Sequence, residues 1–405
     1  IGLLLEIRYN AKVNFIFSNY RNNCSAFNNI LFSLLKNTKL IGNVITLNDY
    51  ESNIFSKKCV YDLSKINIAH DTKCDSIIVD NYIHKCYLEY GIKVDSAVSN
   101  LYKTRNFDTI FVPNGLCNES GYFLQNKYLK SRIASFDSGA NGCLLMCSNG
   151  IAAHLNDFRN INLDKFYSDS VSYKVKNLIN LRKKSKDAFN YQKSSITECD
   201  YDFKNSVFIP LNVCWDTASL GNNNLFNDTS EWLTKTIEYL LKHTDKKVFV
   251  RQHPMERHEY IKSNLDLNKI LNIYSSYNRV FLINSNDNVN SYDILSNTDL
   301  CLVHSSSIAL EAVIFNCPVI CVSNCYYSEY NFINKPFSIE NYYKLILKKL
   351  YHNQSIEDKK QALTLYYLTQ ELNWLFPFLA PTNLNNVLKS ESSYILKQKY
   401  TTEIL

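Results

Sequence analysis

The sequence predicts an α/β protein made of two successive halves, each a mostly parallel sheet with helices packed on it, followed by C-terminal helices. Three observations carry that expectation. Short apolar runs alternate with segments of helical spacing along most of the chain, which is the signature of βα units. The alternation stops between about 174 and 204, where Arg182-Lys183-Lys184-Ser185-Lys186 marks a lysine-rich stretch without apolar periodicity after Phe189, and it restarts at Ser206. Finally, 405 residues exceed one ordinary core and fit two domains of about 200 residues each. The predicted organisation is a first domain over 1–190, a linker over 191–204, a second domain over 205–338 and C-terminal helices over 339–405.

In the first half, residues 13–17 and 43–47 read as strands around a helix over 28–39, whose Ile30, Leu31, Leu34 and Leu35 share one face. Residues 76–79 and 109–112 read as buried strands, the second closing at Pro113-Asn114-Gly115, a turn at a strand's carboxyl end. A helix over 119–130 and a short strand over 132–136 follow. The second half opens with a strand over 206–211 and a loop over 212–228. A helix over 229–242 then starts near Ser230 and Glu231 and buries Trp232, Leu233, Ile237, Leu240 and Leu241. Val248-Phe249-Val250 leads a strand that ends at His253, followed by a short helix over 256–264, a strand over 280–283 and a helix over 291–296. A strand over 300–303, a helix over 305–315 and a strand over 318–322 complete this half. The tail reads as helical over 339–350, 356–372 and 384–396.

Composition removes several function classes. Forty-four basic against 38 acidic side chains give a net charge of +6, too mild for a nucleic-acid partner. Lys344, Lys348 and Lys349 permit loose contact with an anionic membrane surface, although a solvated helix face accounts for them better. The 13 cysteines are scattered, as expected of reduced thiols in a cytosolic protein. Their closest sets, Cys143/Cys147 and Cys317/Cys321/Cys325, lack the paired spacing of zinc sites, so no metal is expected. No apolar stretch reaches the ~20 residues that span a bilayer, which predicts a soluble protein.

Two segments carry the chemistry. Arg251-Gln252-His253-Pro254 brings a cation and an imidazole to a strand's carboxyl end, where open α/β sheets place their ligands. Pro254 ends the pairing and fixes the turn. The imidazole can donate to a phosphate oxygen, and if protonated it would oppose charge developing on a leaving nucleotide. His253 alone would read as a packed histidine. The second segment changes the balance: Ser305, Ser306 and Ser307 follow a buried strand at a helix start, more hydroxyls than capping needs. Glu311, one turn further along the same face, is placed to accept hydrogen bonds from ribose hydroxyls. Together they predict a pocket for a phosphorylated, nucleotide-linked substrate.

The order VFVRQHP, then SYDILSNTDLCLVHSSSIALEAVIFNCPVICV, resembles the bacterial capsule polysaccharide biosynthesis proteins. Their Kdo transferase members use the GT-B fold, two Rossmann-like domains facing a central cleft. The likeness covers roughly 205–330 by motif and the remainder by architecture. It implies that His253-Pro254 and Ser305, Ser306 and Ser307 bind the CMP of an activated sugar, with Glu311-Ala312 and Pro318 also matching. It further implies an inverting, metal-independent glycosyltransferase without a separate cofactor. Its donor would be a nucleotide sugar, CMP-Kdo being one option, and its acceptor an oligosaccharide or lipid-linked glycan of a capsule or other surface polysaccharide. Related proteins carry an acidic residue after the second strand of the first half, often glutamate, and Asp137 stands there as the candidate base, with Asn114 and Gly115 on the acceptor side. Asp137 reads equally as a turn aspartate, and His154 and Asp216 are held in reserve. The same architecture also admits a non-catalytic binding protein, or a nucleotide-sugar epimerase or phosphotransferase.

Overall fold

The computed structural model describes residues 12–18, 20, 43–76, 81–138, 144–186, 201–222, 224–350, 354–372 and 374–375. They divide into two compact units, one drawn from 1–67, 79–153 and 374–405, the other from 68–78 and 154–373. The helices expected over 28–39 and 384–396, and most of the strand expected over 76–79, lie outside the described residues.

In the first unit, β1 (Asn14–Phe17) and β2 (Asn43–Thr46) form a parallel pair. After α1 (Lys57–Thr72) and α2 (Asn81–Thr104) come β3 (Thr109–Pro113), α3 (Asn118–Gln125), β4 (Arg132–Ser138) and β5 (Leu144–Cys147). Helices α1 and α2 were not anticipated from the sequence. Val94, Ala97, Val98 and Leu101 of α2, spaced as one helical face, are fully buried in a core that also holds Ile110, Val112, Tyr122 and Ile133. β3 and β4 are parallel, but β4 and β5 are antiparallel, with Asp137 opposite Leu145. The expected mostly parallel sheet is therefore mixed. Only residues 139–143 separate these two strands, far fewer than the dozen or more that a parallel crossover needs.

The second unit includes α4 (Asp169–Lys183), which overlaps the start of the lysine-rich stretch over 174–204. Ser168 caps it by accepting from the Val171 amide at 3.2 Å, and Val171, Val175, Ile179 and Arg182 form its buried face. Lysines on the other faces masked this stripe. The strands are β6 (Ser206–Pro210), β7 (Lys247–Arg251), β8 (Val280–Ile283), β9 (Leu300–Val303) and β10 (Val319–Cys321). The helices are α5 (Thr229–His243), α6 (Leu267–Asn272), α7 (Ser291–Leu295), α8 (Ile308–Ile314), α9 (Ile339–Lys349) and α10 (Ile356–Tyr367). Every strand pair is parallel, in the order β10-β9-β6-β7-β8. The chain thus runs from β6 outward to β8, then returns to the other side of β6 for β9 and β10. That reversal is the doubly wound topology, and the carboxyl ends of β6 and β9 flank its switch point.

Burial explains why this sheet was legible: β6, β9 and β10 are buried at every position, as a sheet covered on both faces requires. Trp232, Leu233, Ile237 and Leu240 of α5 pack against Val207, Ile209, Val248 and Val250. Ile237→Ala would cost about 2–5 kcal/mol. The cap of α5 is Asp228 rather than Ser230, accepting from the Glu231 amide at 2.8 Å. The expected helix over 256–264 is instead a single 3₁₀ turn, Pro254–Arg257, and α8 is shorter than the predicted 305–315. After α10 the chain continues through a π-helical turn, Leu368–Leu372, to β11 (Trp374–Leu375), which pairs antiparallel with β5 in the first unit's sheet. Among the described residues, no helix is long and apolar enough to cross a membrane.

Candidate functional site

The carboxyl ends of β6 and β7, the starts of α7 and α8 and the end of α4 converge on one cavity in the second unit. Its lining includes Arg182, Pro210, Arg251, Gln252, His253, Tyr292, Ser306, Ser307 and Glu311. Arg251 is the last residue of β7 and only 2% exposed, so the sheet delivers its guanidinium to the interior. His253 follows and caps the 3₁₀ turn: its Nδ1 accepts from the Met255 amide at 3.2 Å. An Nδ1 acceptor leaves the neutral ring with its proton on Nε2, which makes Nε2–H the donor edge. Burial, together with the adjacent Arg251 cation, lowers the imidazole to about 4. Of the two roles expected for His253, that of an uncharged donor to a phosphate oxygen therefore applies at neutral pH, and that of a cation does not.

The three serines do not act alike. Ser305 is buried, its Oγ donates to the Ala218 carbonyl at 2.9 Å and its amide donates to Asn212 Oδ1 at 3.3 Å, so it ties down the loop after β6. Ser306 and Ser307 line the cavity, and their hydroxyls have no hydrogen-bond partner among the described residues. Ser307 precedes α8 in helical conformation without capping it, so a simple cap does not explain these residues. His304 has its Nδ1 3.1 Å from Ser305 Oγ and its Nε2 2.7 Å from Asn224 Oδ1, and burial lowers it to about 4.

Glu311, expected to accept from ribose hydroxyls, is 5% exposed. Its Oε1 accepts from the Tyr292 and Tyr366 hydroxyls, each at 2.7 Å, and lies 3.4 Å from Arg182 Nη1. Arg182 Nη1 also donates to the Tyr366 oxygen at 2.7 Å, and Nη2 to Gln370 Oε1 at 3.2 Å. Arg182, Tyr292, Tyr366 and Gln370 were missed as site residues. For Arg182 a signal existed: it continues the stripe of Val171, Val175 and Ile179 on a helix that Ser168 and Asp169 begin. Nothing local marks Tyr366 or Gln370, which reach the site through tertiary packing.

Gln252 was expected to bind the donor, but its side chain is engaged: Nε2 donates to Glu256 Oε2 at 2.9 Å and Oε1 accepts from the Ser285 amide at 3.0 Å. The remaining sequence candidates belong to other places. Asp137 lies half-buried on β4 of the first unit. Asn114, expected on the acceptor side, has its Oδ1 accepting from the amides of Leu116 and Cys117 at 2.7 and 2.8 Å within its own turn. Gly115 is buried at φ +84°, where an added Cβ would stand 3.1 Å from Ser135 Cβ. His154 Nε2 lies 2.9 and 2.8 Å from the carbonyls of Thr217 and Leu220, so it clamps the loop after β6. Asp216 Oδ1 accepts from the Ala218 amide at 3.3 Å within that loop. Among the described residues, no group of three or more His, Cys, Asp or Glu is placed to hold a metal ion.

No protein-family model and no curated protein matches the chain. Its structural neighbours include Kdo transferases. The Thermosulfurimonas dismutans KpsC β-Kdo 2,7 transferase is 15% identical over 67% of this chain and 81% of that one, with a TM-score of 0.41. Sucrose-phosphate synthase from Thermosynechococcus elongatus is 10% identical over 90% and 71%, with a TM-score of 0.35. The Methanocaldococcus jannaschii UDP-GlcNAc 2-epimerase, in complex with UDP-GlcNAc and UDP, is 14% identical over 77% and 96%, with a TM-score of 0.32. At these identities and scores the functional assignment rests on the cavity itself.

Proposed function

We propose that this chain is a nucleotide-sugar-dependent glycosyltransferase of the inverting, metal-independent kind, building a capsule or other surface polysaccharide. The observation that carries the proposal is the convergence of Arg251, neutral His253 and the hydroxyls of Ser306 and Ser307 on one cavity beside a doubly wound sheet's switch point. Such a set suits a phosphate: one guanidinium for charge, with an N–H and two O–H groups for the oxygens. In the proposed reaction an acceptor hydroxyl forms a bond to the anomeric carbon while the bond from that carbon to the phosphate oxygen breaks. The electron pair leaves with the phosphate, where Arg251 and the Nε2–H of His253 stabilise it. Asp137 is proposed to take the acceptor's proton. The resemblance to capsule proteins makes CMP-Kdo the first donor to test.

The test combines calorimetry over a panel of nucleoside mono- and diphosphates with a transfer assay. His253→Ala is expected to weaken nucleotide binding about tenfold or more, in line with a lost hydrogen bond to a charged group. Asp137→Asn is expected to lower turnover while sparing donor affinity. Unchanged binding and unchanged turnover in both variants would sink the assignment. Binding without transfer to any glycan acceptor would favour a binding protein, and isomerisation of the free donor would favour an epimerase.

A further inference from the structure

One of the closely spaced cysteine sets, Cys317/Cys321/Cys325, stands outside the cavity lining, yet two of its members meet thiol to thiol. Cys321 ends β10 and Cys325 follows in the loop after it, both are buried, and their Sγ atoms are 3.5 Å apart. A disulfide places its sulfurs about 2 Å apart, so closing the pair asks for a movement of about 1.5 Å. The same segment grips the serine run. The His304 carbonyl receives the Cys321 thiol at 2.9 Å and the Ser323 hydroxyl at 2.7 Å, and the Ser306 carbonyl receives the Tyr327 hydroxyl at 2.8 Å. Residues 321–327 thus hold the backbone on both sides of Ser305, and with it the Ser306 hydroxyl that lines the cavity.

The single thiol proton of Cys321 can turn to the His304 carbonyl or to the Cys325 sulfur, and burial pushes this thiol up. Burial also opposes ionisation of Cys325, but hydrogen bonds to its sulfur from Cys321 and Tyr327 outweigh it and leave that thiol below its ordinary value. Cys325 is therefore the sulfur that ionises first and attacks. We propose that Cys321 and Cys325 form a reversible disulfide when the protein meets a peroxide, and that this modification loosens the cavity's hold on a phosphorylated ligand. The Cys325 thiolate attacks one oxygen of hydrogen peroxide, the O–O bond breaks and hydroxide leaves, giving a sulfenic acid at Cys325. The Cys321 sulfur then bonds to the Cys325 sulfur, the S–O bond breaks, and the hydroxyl leaves as water with the Cys321 proton. The two thiols lose two electrons and two protons, and the peroxide becomes two waters. In the disulfide Cys321 has no proton for the His304 carbonyl, and the loop that carries Tyr327 is drawn toward β10. Both sulfurs being buried, opening of that loop sets the rate. The disulfide does not depend on what the cavity binds, whereas its effect on binding rests on the reading of the cavity as a phosphate site.

To test this, the full chain is treated with hydrogen peroxide, denatured and blocked with one alkylating reagent, then reduced and labelled with a second, and fragment mass spectrometry places the labels. The second label is expected on Cys321 and Cys325 of the wild type, and on no residue of this segment in Cys325→Ala. Calorimetry with inorganic pyrophosphate is expected to show binding about threefold to tenfold weaker after oxidation, as a misplaced hydroxyl hydrogen bond would give, with full recovery in dithiothreitol. Cys325→Ala should bind like the reduced wild type and ignore peroxide. If it does not fold, Cys321→Ser, which keeps a donor for the His304 carbonyl, takes its place. A loss of binding that peroxide also causes in the variant comes from another residue, such as Met255, whose amide donates to His253, and overturns the link to the serines. A wild type in which the second label does not appear on both cysteines overturns the inference and leaves the phosphate site standing. A reduced wild type that does not bind pyrophosphate overturns the phosphate site and the binding effect, while the labels still decide the disulfide.

Discussion

The turns after β3 and after β7 look alike in sequence, yet their polar groups end differently. Both leave a strand's carboxyl end with a proline and hydrogen-bonding side chains. After β3, Asn114 gives its Oδ1 to two amides of its own turn, its amide donates to the Phe136 carbonyl at 2.7 Å, and Gly115 packs on Ser135. After β7, Arg251 and His253 line a cavity with Ser306 and Ser307. A strand-end motif becomes a candidate binding site when its polar groups face a cavity, and remains architecture when the turn closes on itself. The largest contrast expected follows directly. Arg251→Ala should weaken nucleotide binding about 100-fold, near the upper range for a hydrogen bond to a charged group. Asn114→Ala should leave binding unchanged while costing about 1–3 kcal/mol of stability through two lost turn bonds and a φ of 44° that alanine tolerates poorly. Calorimetry and urea melts on both variants decide it, and a matching loss of affinity in Asn114→Ala would break the comparison.

The two units should also answer acid differently. In the second, burial lowers His154, His253 and His304 to about 4 from an ordinary 6.5. Between those values the unfolded chain binds protons that the folded unit refuses. Their contribution is thus complete above 6.5 and is lost as pH falls toward 4. His154, only 6% exposed, sets the scale at about 3 kcal/mol for a shift from 6.5 to about 4. The sign reverses for carboxyls that desolvation raises, Asp75, Asp216 and Glu256 in the second unit and, in the first, Asp95, although the Ser56 amide and Asn126 hold it at 2.7 and 3.0 Å. Its folded form keeps the proton to higher pH than the unfolded chain, so its contribution is full below 3.8 and fades as pH rises through the raised value. Hydrogen exchange at pH 7 and pH 5, corrected for intrinsic rates, should show protection falling in the second unit first. Equal loss in both units would remove the histidines as the cause.

How far the sequence could be read depended on what each residue's partner was. The five strands of the second unit stood out because a fully covered parallel sheet needs unbroken apolar runs, as in Val207-Phe208-Ile209 and Leu300-Cys301-Leu302-Val303. Helix α4 was hidden because Lys174, Lys176 and Lys183 and its other polar residues interrupt the apolar pattern, although the spacing of Val171, Val175 and Ile179 was there to find. In the first unit, α1 and α2 escaped because their charged and aromatic residues blur the apolar face. The half of the site made locally, Arg251 to Pro254 and Ser305 to Ser307, was visible as motifs. Tyr292, Tyr366 and Gln370 were not, since their roles exist only through contacts with Glu311 and Arg182, and contacts over 19 to 188 residues leave no local pattern.

The finest version of the comparison lies within the serine run, where adjacent residues of one type separate architecture from site. Ser305 donates its proton to the Ala218 carbonyl and anchors the loop after β6, whereas the Ser306 hydroxyl lines the cavity without a partner among the described residues. Ser305→Ala leaves a buried carbonyl without its donor, so it should cost about 1 kcal/mol of stability with ligand affinity nearly unchanged. Ser306→Ala removes a hydroxyl that the folded chain does not use, so its melting curve should be unaltered while nucleotide binding weakens about threefold to tenfold. Melting curves and calorimetry on the two variants read both axes at once. If Ser306→Ala costs stability and spares affinity, its hydroxyl is architectural too, and the phosphate would have to be held by Arg251, His253 and Ser307 without it.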